Sequence, residues 1–101
     1  MSGNNLEDKW VWVIVENLAG QETYYALTEE TGKNLKFIPA FENQDEAEAC
    51  GRLMAKRPEA EYQVQAIRLT HLAEAAARSR SDVYILDGRG RILERLTPAA
   101  G

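Results

Sequence analysis

The sequence predicts an α+β domain, one mostly antiparallel sheet with two helices packed on it, in the order β-β-β-α-β-α-β-β. Three observations predict it. Trp10-Val11-Trp12-Val13-Ile14-Val15 is an unbroken run of β-formers. The stretch after Asn43 repeats apolar residues at helical spacing behind a capping residue. Tyr62-Gln63-Val64-Gln65-Ala66 alternates apolar and polar, the period of a strand with one wet face.

The elements follow in order. Met1 to Lys9 is polar and reads as a loose N-terminal tail. In the first strand Trp10, Trp12 and Ile14 point one way, Val11, Val13 and Val15 the other. Both faces are apolar, so this strand is expected to be central and covered on both sides. Ala19-Gly20 marks a turn. Thr23 to Thr28 is the second strand, Thr31-Gly32-Lys33 a hairpin connection, and Leu35 to Ile38 a third strand stopped near Pro39. Asn43 caps the first helix, with Glu46 three residues on as a capping-box partner. Ala47, Cys50, Gly51 and Met54, with Leu53 beside them, form its apolar stripe, and Pro58 stops it. Ile67 and Leu69 break the next strand's alternation, which puts a bulge or the strand end there. Thr70 is the expected cap of an alanine-rich second helix, Leu72 to Arg78. Val83 to Leu86 is a short strand, Asp87-Gly88-Arg89-Gly90 a turn with two residues free to take positive φ, and Arg91 to Leu96 the last strand. Residues 10–96 therefore form a single domain, and 97–101 a frayed end.

The 101 residues suffice for one core without staples, and 45% hydrophobic residues argue against disorder. The lone cysteine, Cys50, excludes an intrachain disulfide and a cysteine-based zinc site. No leader is evident and the longest apolar run is too short for a bilayer, so a cytoplasmic location without membrane contact is expected. The net charge of −4 argues against general nucleic-acid binding. Charge is uneven: residues 1–50 carry three basic and ten acidic side chains, or −7, and residues 51–101 carry nine and six, or +3. Such asymmetry fits solvated surface, and it also fits oppositely charged faces meeting between copies or on a partner.

No catalytic constellation is legible. A nucleophile–histidine set would have to use His71, the only histidine, at a helix start where the positive dipole end works against a strong base. Cys50 falls on a helix stripe, where a thiol packs as a small hydrophobe rather than reacting. Glu42, Asp45, Glu46 and Glu48 lack calcium-loop spacing and serve capping and solubility. The glycines of Asp87 to Gly90 precede a strand rather than a helix, which excludes both phosphate-loop patterns. The expectation is a non-enzyme with no cofactor and no metal.

Two sets of residues are candidates for contact with a partner. Tyr24 and Tyr25 face opposite ways on a strand, so one is placed to be exposed as an interface anchor. Arg78, Arg80, Arg89, Arg91 and Arg95 form a basic patch if the last hairpin lies near the end of the second helix. Such a patch suits an acidic protein surface, a phosphorylated ligand or RNA. The aromatic residues among these arginines are limited to Tyr84, which weakens the RNA reading.

The segment Phe37-Ile38-Pro39-Ala40-Phe41-Glu42-Asn43-Gln44-Asp45-Glu46-Ala47 resembles a pattern of small bacterial domains of unknown function, the N-terminal domain of the SseB-like family and short uncharacterised cyanobacterial proteins. In these a strand runs through an aromatic into an acidic helix start. The resemblance implies an α+β fold and no transferable activity or site residue. The leading expectation is a protein-interaction or regulatory module, with an unknown protein or a second copy of itself as partner. A small-molecule sensor or carrier is the first alternative, and an RNA-binding module using the arginine-rich C-terminal third the second.

Overall fold

The computed structural model describes residues 9–29 and 35–96. The tail before Lys9, the Thr31-Gly32-Lys33 connection and the 97–101 end lie outside them. The described chain runs β1 (Trp10–Leu18), β2 (Gln21–Tyr24), β3 (Leu27–Glu29), β4 (Leu35–Phe41), α1 (Gln44–Leu53), β5 (Ala60–Arg68), α2 (Leu69–Arg78), β6 (Asp82–Leu86) and β7 (Ile92–Leu96). Every ladder is antiparallel except β4 with β6.

The sheet forks. One edge of β1 pairs β5 at nine consecutive positions, Trp10↔Arg68 to Leu18↔Ala60. The other edge pairs β4 at Trp12↔Phe41 and Val13↔Ala40, then β2 from Val15↔Tyr24 to Leu18↔Gln21. In turn β4 leaves β1 for β3, from Leu27↔Phe37 to Glu29↔Leu35, while its far edge stays on β6. The single second strand expected from sequence is therefore two, because Tyr25 and Ala26 sit in the crotch of the fork. The Tyr25 amide donates to the Ile14 carbonyl at 2.8 Å there. Pro39 does not stop its strand. It sits where the β3 ladder has ended, at Phe37, and the β1 ladder has not begun, at Ala40, while the strand runs on beside β6.

The alternation read in β1 is real. Val11, Val13 and Val15 join Ile38, Ala40, Val83 and Ile85 beneath Leu69, Leu72 and Ala76 of α2. Ile14 joins Phe37, Phe41, Tyr84 and Leu86 beneath Ala47 and Cys50 of α1. The helices thus cover opposite faces of one sheet, and β1 is buried from both. Leu72 is fully buried, so truncation to alanine would cost about 2–5 kcal/mol.

Local chemistry sets most boundaries. The Asn43 side chain accepts from the Glu46 amide at 2.9 Å, and its own amide group donates to the Glu46 carboxylate at 3.2 Å. Met54 follows α1 with extended geometry, so the helix ends at Leu53, before Pro58 is reached. Thr70 is not the cap of α2. Leu69 opens that helix, and the capping position, Arg68, makes no side-chain capping bond. Burial of Leu69 and Leu72 holds this start in place of a cap. At the two tight turns Ala19 has φ 56°, Gly20 φ 87° and Gly90 φ 86°, whereas Gly88 keeps an ordinary φ. A Cβ at Gly88 would meet the Ala49 Cβ at 3.4 Å, so the turn packs directly against α1.

Candidate functional site

The last turn of α1, β3 and the β6–β7 turn surround a groove of about 430 Å³. Phe37, Cys50 and Leu86 form its buried floor, while Leu27, Leu53, Met54 and Ile92 form its walls. Leu53 is 71% exposed and Ile92 37%, with Leu93 beside it at 55%. The sequence puts Leu53 beside the apolar stripe, and α1 turns it toward solvent at the groove mouth. Arg89 lines the groove, and among the described residues no carboxylate does.

The Asp87 turn builds one wall. The Asp87 carboxylate accepts the Arg89 and Arg91 amides, each at 2.9 Å, and the Arg91 guanidinium approaches it at 3.5 Å. The Arg91 amide, helped by the Arg89 amide and both guanidinium groups, holds this carboxyl below its ordinary range. Burial pushes the Cys50 thiol up, with a smaller contribution from the Asp87 charge.

The five arginines do not gather. Arg78 ends α2 and Arg80 follows it, whereas Arg89 and Arg91 occupy the far end of β6, roughly 16 Å along a five-residue strand. Arg95 lies between them, its guanidinium 5.3 Å from the Tyr84 ring centre. The single basic patch is therefore replaced by two ends and a stacked middle. Tyr24 and Tyr25 do face opposite ways, but both are half-buried, Tyr24 against the α2-side core and Tyr25 against the α1-side core. The aromatic that stands out is Trp10, 58% exposed, with the Arg68 guanidinium 5.2 Å from its ring centre. Its exposure at the start of β1 is a tertiary fact that alternation does not show.

On the α2 face the prongs of the fork leave a second cavity of about 460 Å³. Val15, Tyr24, Ala26, Ile38 and Ala75 give it apolar walls, and Glu22, Lys36, Gln65, Ser79 and Ser81 give it a polar rim.

His71 is exposed on α2 while Cys50 is buried under α1, so the sheet separates the only imidazole from the only thiol. Among the described residues no group of three histidine, cysteine, aspartate or glutamate side chains is placed to hold a metal ion. No described helix is long and apolar enough to cross a membrane. The fold and grooves define a small α+β domain with a forked sheet and helices on both faces. Compared with known proteins, the chain matches no family model, no curated protein and no solved structure.

Proposed function

We propose that the domain is a non-enzymatic, cytoplasmic protein-interaction module that takes an apolar segment of a partner protein into the groove beside α1. The exposure of Leu53 carries this reading: a leucine left 71% exposed at the mouth of an apolar groove is what an anchor of the partner would cover. The occupant's chemistry follows from the lining. Arg89 is the only charged residue among the described ones that line it, so the partner presents apolar side chains next to an acidic one. The test is selection of displayed peptides on the wild-type chain, with counter-selection on Leu53→Glu and Arg89→Glu. Enrichment of acidic-apolar peptides that both variants lose supports the reading. Peptides that bind all three proteins alike overturn it.

The fork cavity favours a second reading, a small-molecule sensor or carrier. Its volume falls within the usual range for small ligands, and its apolar walls end in a polar rim. A ligand screen by thermal shift, repeated on Ala75→Trp to fill the cavity, separates the two: this reading requires a stabilising compound that the filled variant no longer feels.

A further inference from the structure

The outer edge of β5 is the longest regular edge in the described fold. Its inner edge pairs β1 at nine consecutive positions without a bulge, and no described strand pairs its outer edge. Natural edges are blunted with lysine, proline, bulges or short length. From Tyr62 to Ile67 this strand has no charge, proline or glycine. A bulge-free edge with these uncharged residues in a row is a template for another strand.

We propose that the occupant is the β5 edge of a second copy of this chain, joined about a two-fold axis through Val64. A two-fold axis perpendicular to the sheet requires antiparallel pairing and keeps each face on its own side. Centred on Val64, it sets Tyr62 opposite the second copy's Ala66 on the α1 face, large against small. On the α2 face it sets Gln63 opposite the second copy's Gln65, amide against amide. Both glutamines are exposed, and both lie where a second strand would cover them. Charge fits the same arrangement. The strand carries Glu61 next to its start and Arg68 at its end, so antiparallel self-pairing lays each acidic end along the basic end of the other copy. Parallel pairing would set like against like. The interface lies on the far side of β1 from the β6–β7 turn, and it does not depend on the groove beside α1.

Sedimentation of the full chain at hundreds of micromolar tests the proposal, alongside Gln63→Lys/Gln65→Lys and Leu53→Glu. Both glutamine positions are exposed, so the double variant keeps its thermal melt while facing lysine with lysine across the junction. The expected result is a dimer for the wild type and for Leu53→Glu, and dimerisation weakened by about tenfold or more for the lysine variant. A wild-type monomer overturns the proposal, and so does a dimer that the lysines leave intact. A dimer lost with Leu53→Glu but kept with the lysines assigns self-association to the groove instead.

Discussion

The Tyr62 hydroxyl donates to the Glu16 carboxylate at 2.7 Å, joining residues 46 positions apart. The same hydroxyl accepts the Arg57 amide at 2.8 Å, and the Arg57 guanidinium approaches Glu16 at 3.7 Å. Next to it, the Tyr25 hydroxyl donates to the Ala55 carbonyl at 2.7 Å, with the two rings edge to face at 6.0 Å. Two phenols thereby tie down the irregular segment between α1 and β5, whose backbone groups have no ladder to join.

This clamp predicts a stability loss without a change of fold. Tyr25→Phe leaves the Ala55 carbonyl without its donor and is expected to cost about 1 kcal/mol. Tyr62→Phe strips both Glu16 and the Arg57 amide of a partner and is expected to lower Tm by roughly 5 °C. The rings touch, so the double variant should lose less or more than the sum, and a double-mutant cycle on chemical denaturation measures the difference. Alkali weakens the same clamp. Burial, first among the causes, raises both phenols above their ordinary value. A raised folded value means the contribution is complete below about pH 10 and is lost as pH climbs through the folded values. A stability gap between wild type and double variant that does not narrow as pH is raised above about 10 would refute this.

Acid acts on the turn after β6. The folded Asp87 carboxyl titrates below its unfolded value, so its contribution is present above about pH 3.9 and fades as pH falls through the lower folded value. Asp87→Asn keeps an acceptor for the Arg89 and Arg91 amides but does not titrate. The stability gap between wild type and variant should therefore shrink below pH 4. A gap that stays constant from pH 7 to pH 2, measured by denaturant titration, would show that the charge contributes nothing.

Much of what depends on neighbours in sequence is legible from it, the Thr70 cap and the Pro58 stop excepted. The Asn43–Glu46 cap, the Ala19-Gly20 turn, the Asp87 turn and the two-faced core strand are all short-range chemistry, and all are present. What was lost is long-range. Nothing near Tyr25 announces that β1 and β4 part there, and Pro39 reads as a stop unless the handover between β3 and β1 is known. The groove was half legible. Arg89 stands out only as a member of a patch that the length of β6 pulls apart, and Leu53 reads as lying beside an apolar stripe that α1 does not fully bury.

Cys50 should behave as a packed hydrophobe. It is 3% exposed, and burial raises its thiol. A thiol reagent at pH 8 should label the native chain at least about tenfold more slowly than the denatured chain, at a rate set by local opening. Native labelling at the denatured rate would mean that the groove floor is open to solvent.

Arg80 occupies a position that chain geometry reserves for glycine. The Ser81 amide donates to the Ala76 carbonyl at 2.8 Å and the Arg80 amide to the Ala77 carbonyl at 3.2 Å, the paired bonds of a Schellman helix end. Such an end needs a left-handed residue between them, and Arg80 has φ 55°. An L side chain there costs about 1–2 kcal/mol, and glycine's greater freedom in the unfolded chain offsets part of the gain from removing it. Arg80→Gly should therefore raise stability by about 0.5–1 kcal/mol with the two bonds intact. Ala19, at φ 56° before Gly20, is the companion case: Ala19→Asn supplies the residue favoured in that hairpin turn and should stabilise by a similar amount. The two variants differ in what they say about function. Ala19 carries no group that a partner would recognise, whereas Arg80 is exposed and charged. A gain in Tm for Arg80→Gly would show that the backbone strain outweighs what the side chain contributes to stability. A fall in Tm would show that Arg80 stabilises the helix end by more than its backbone costs.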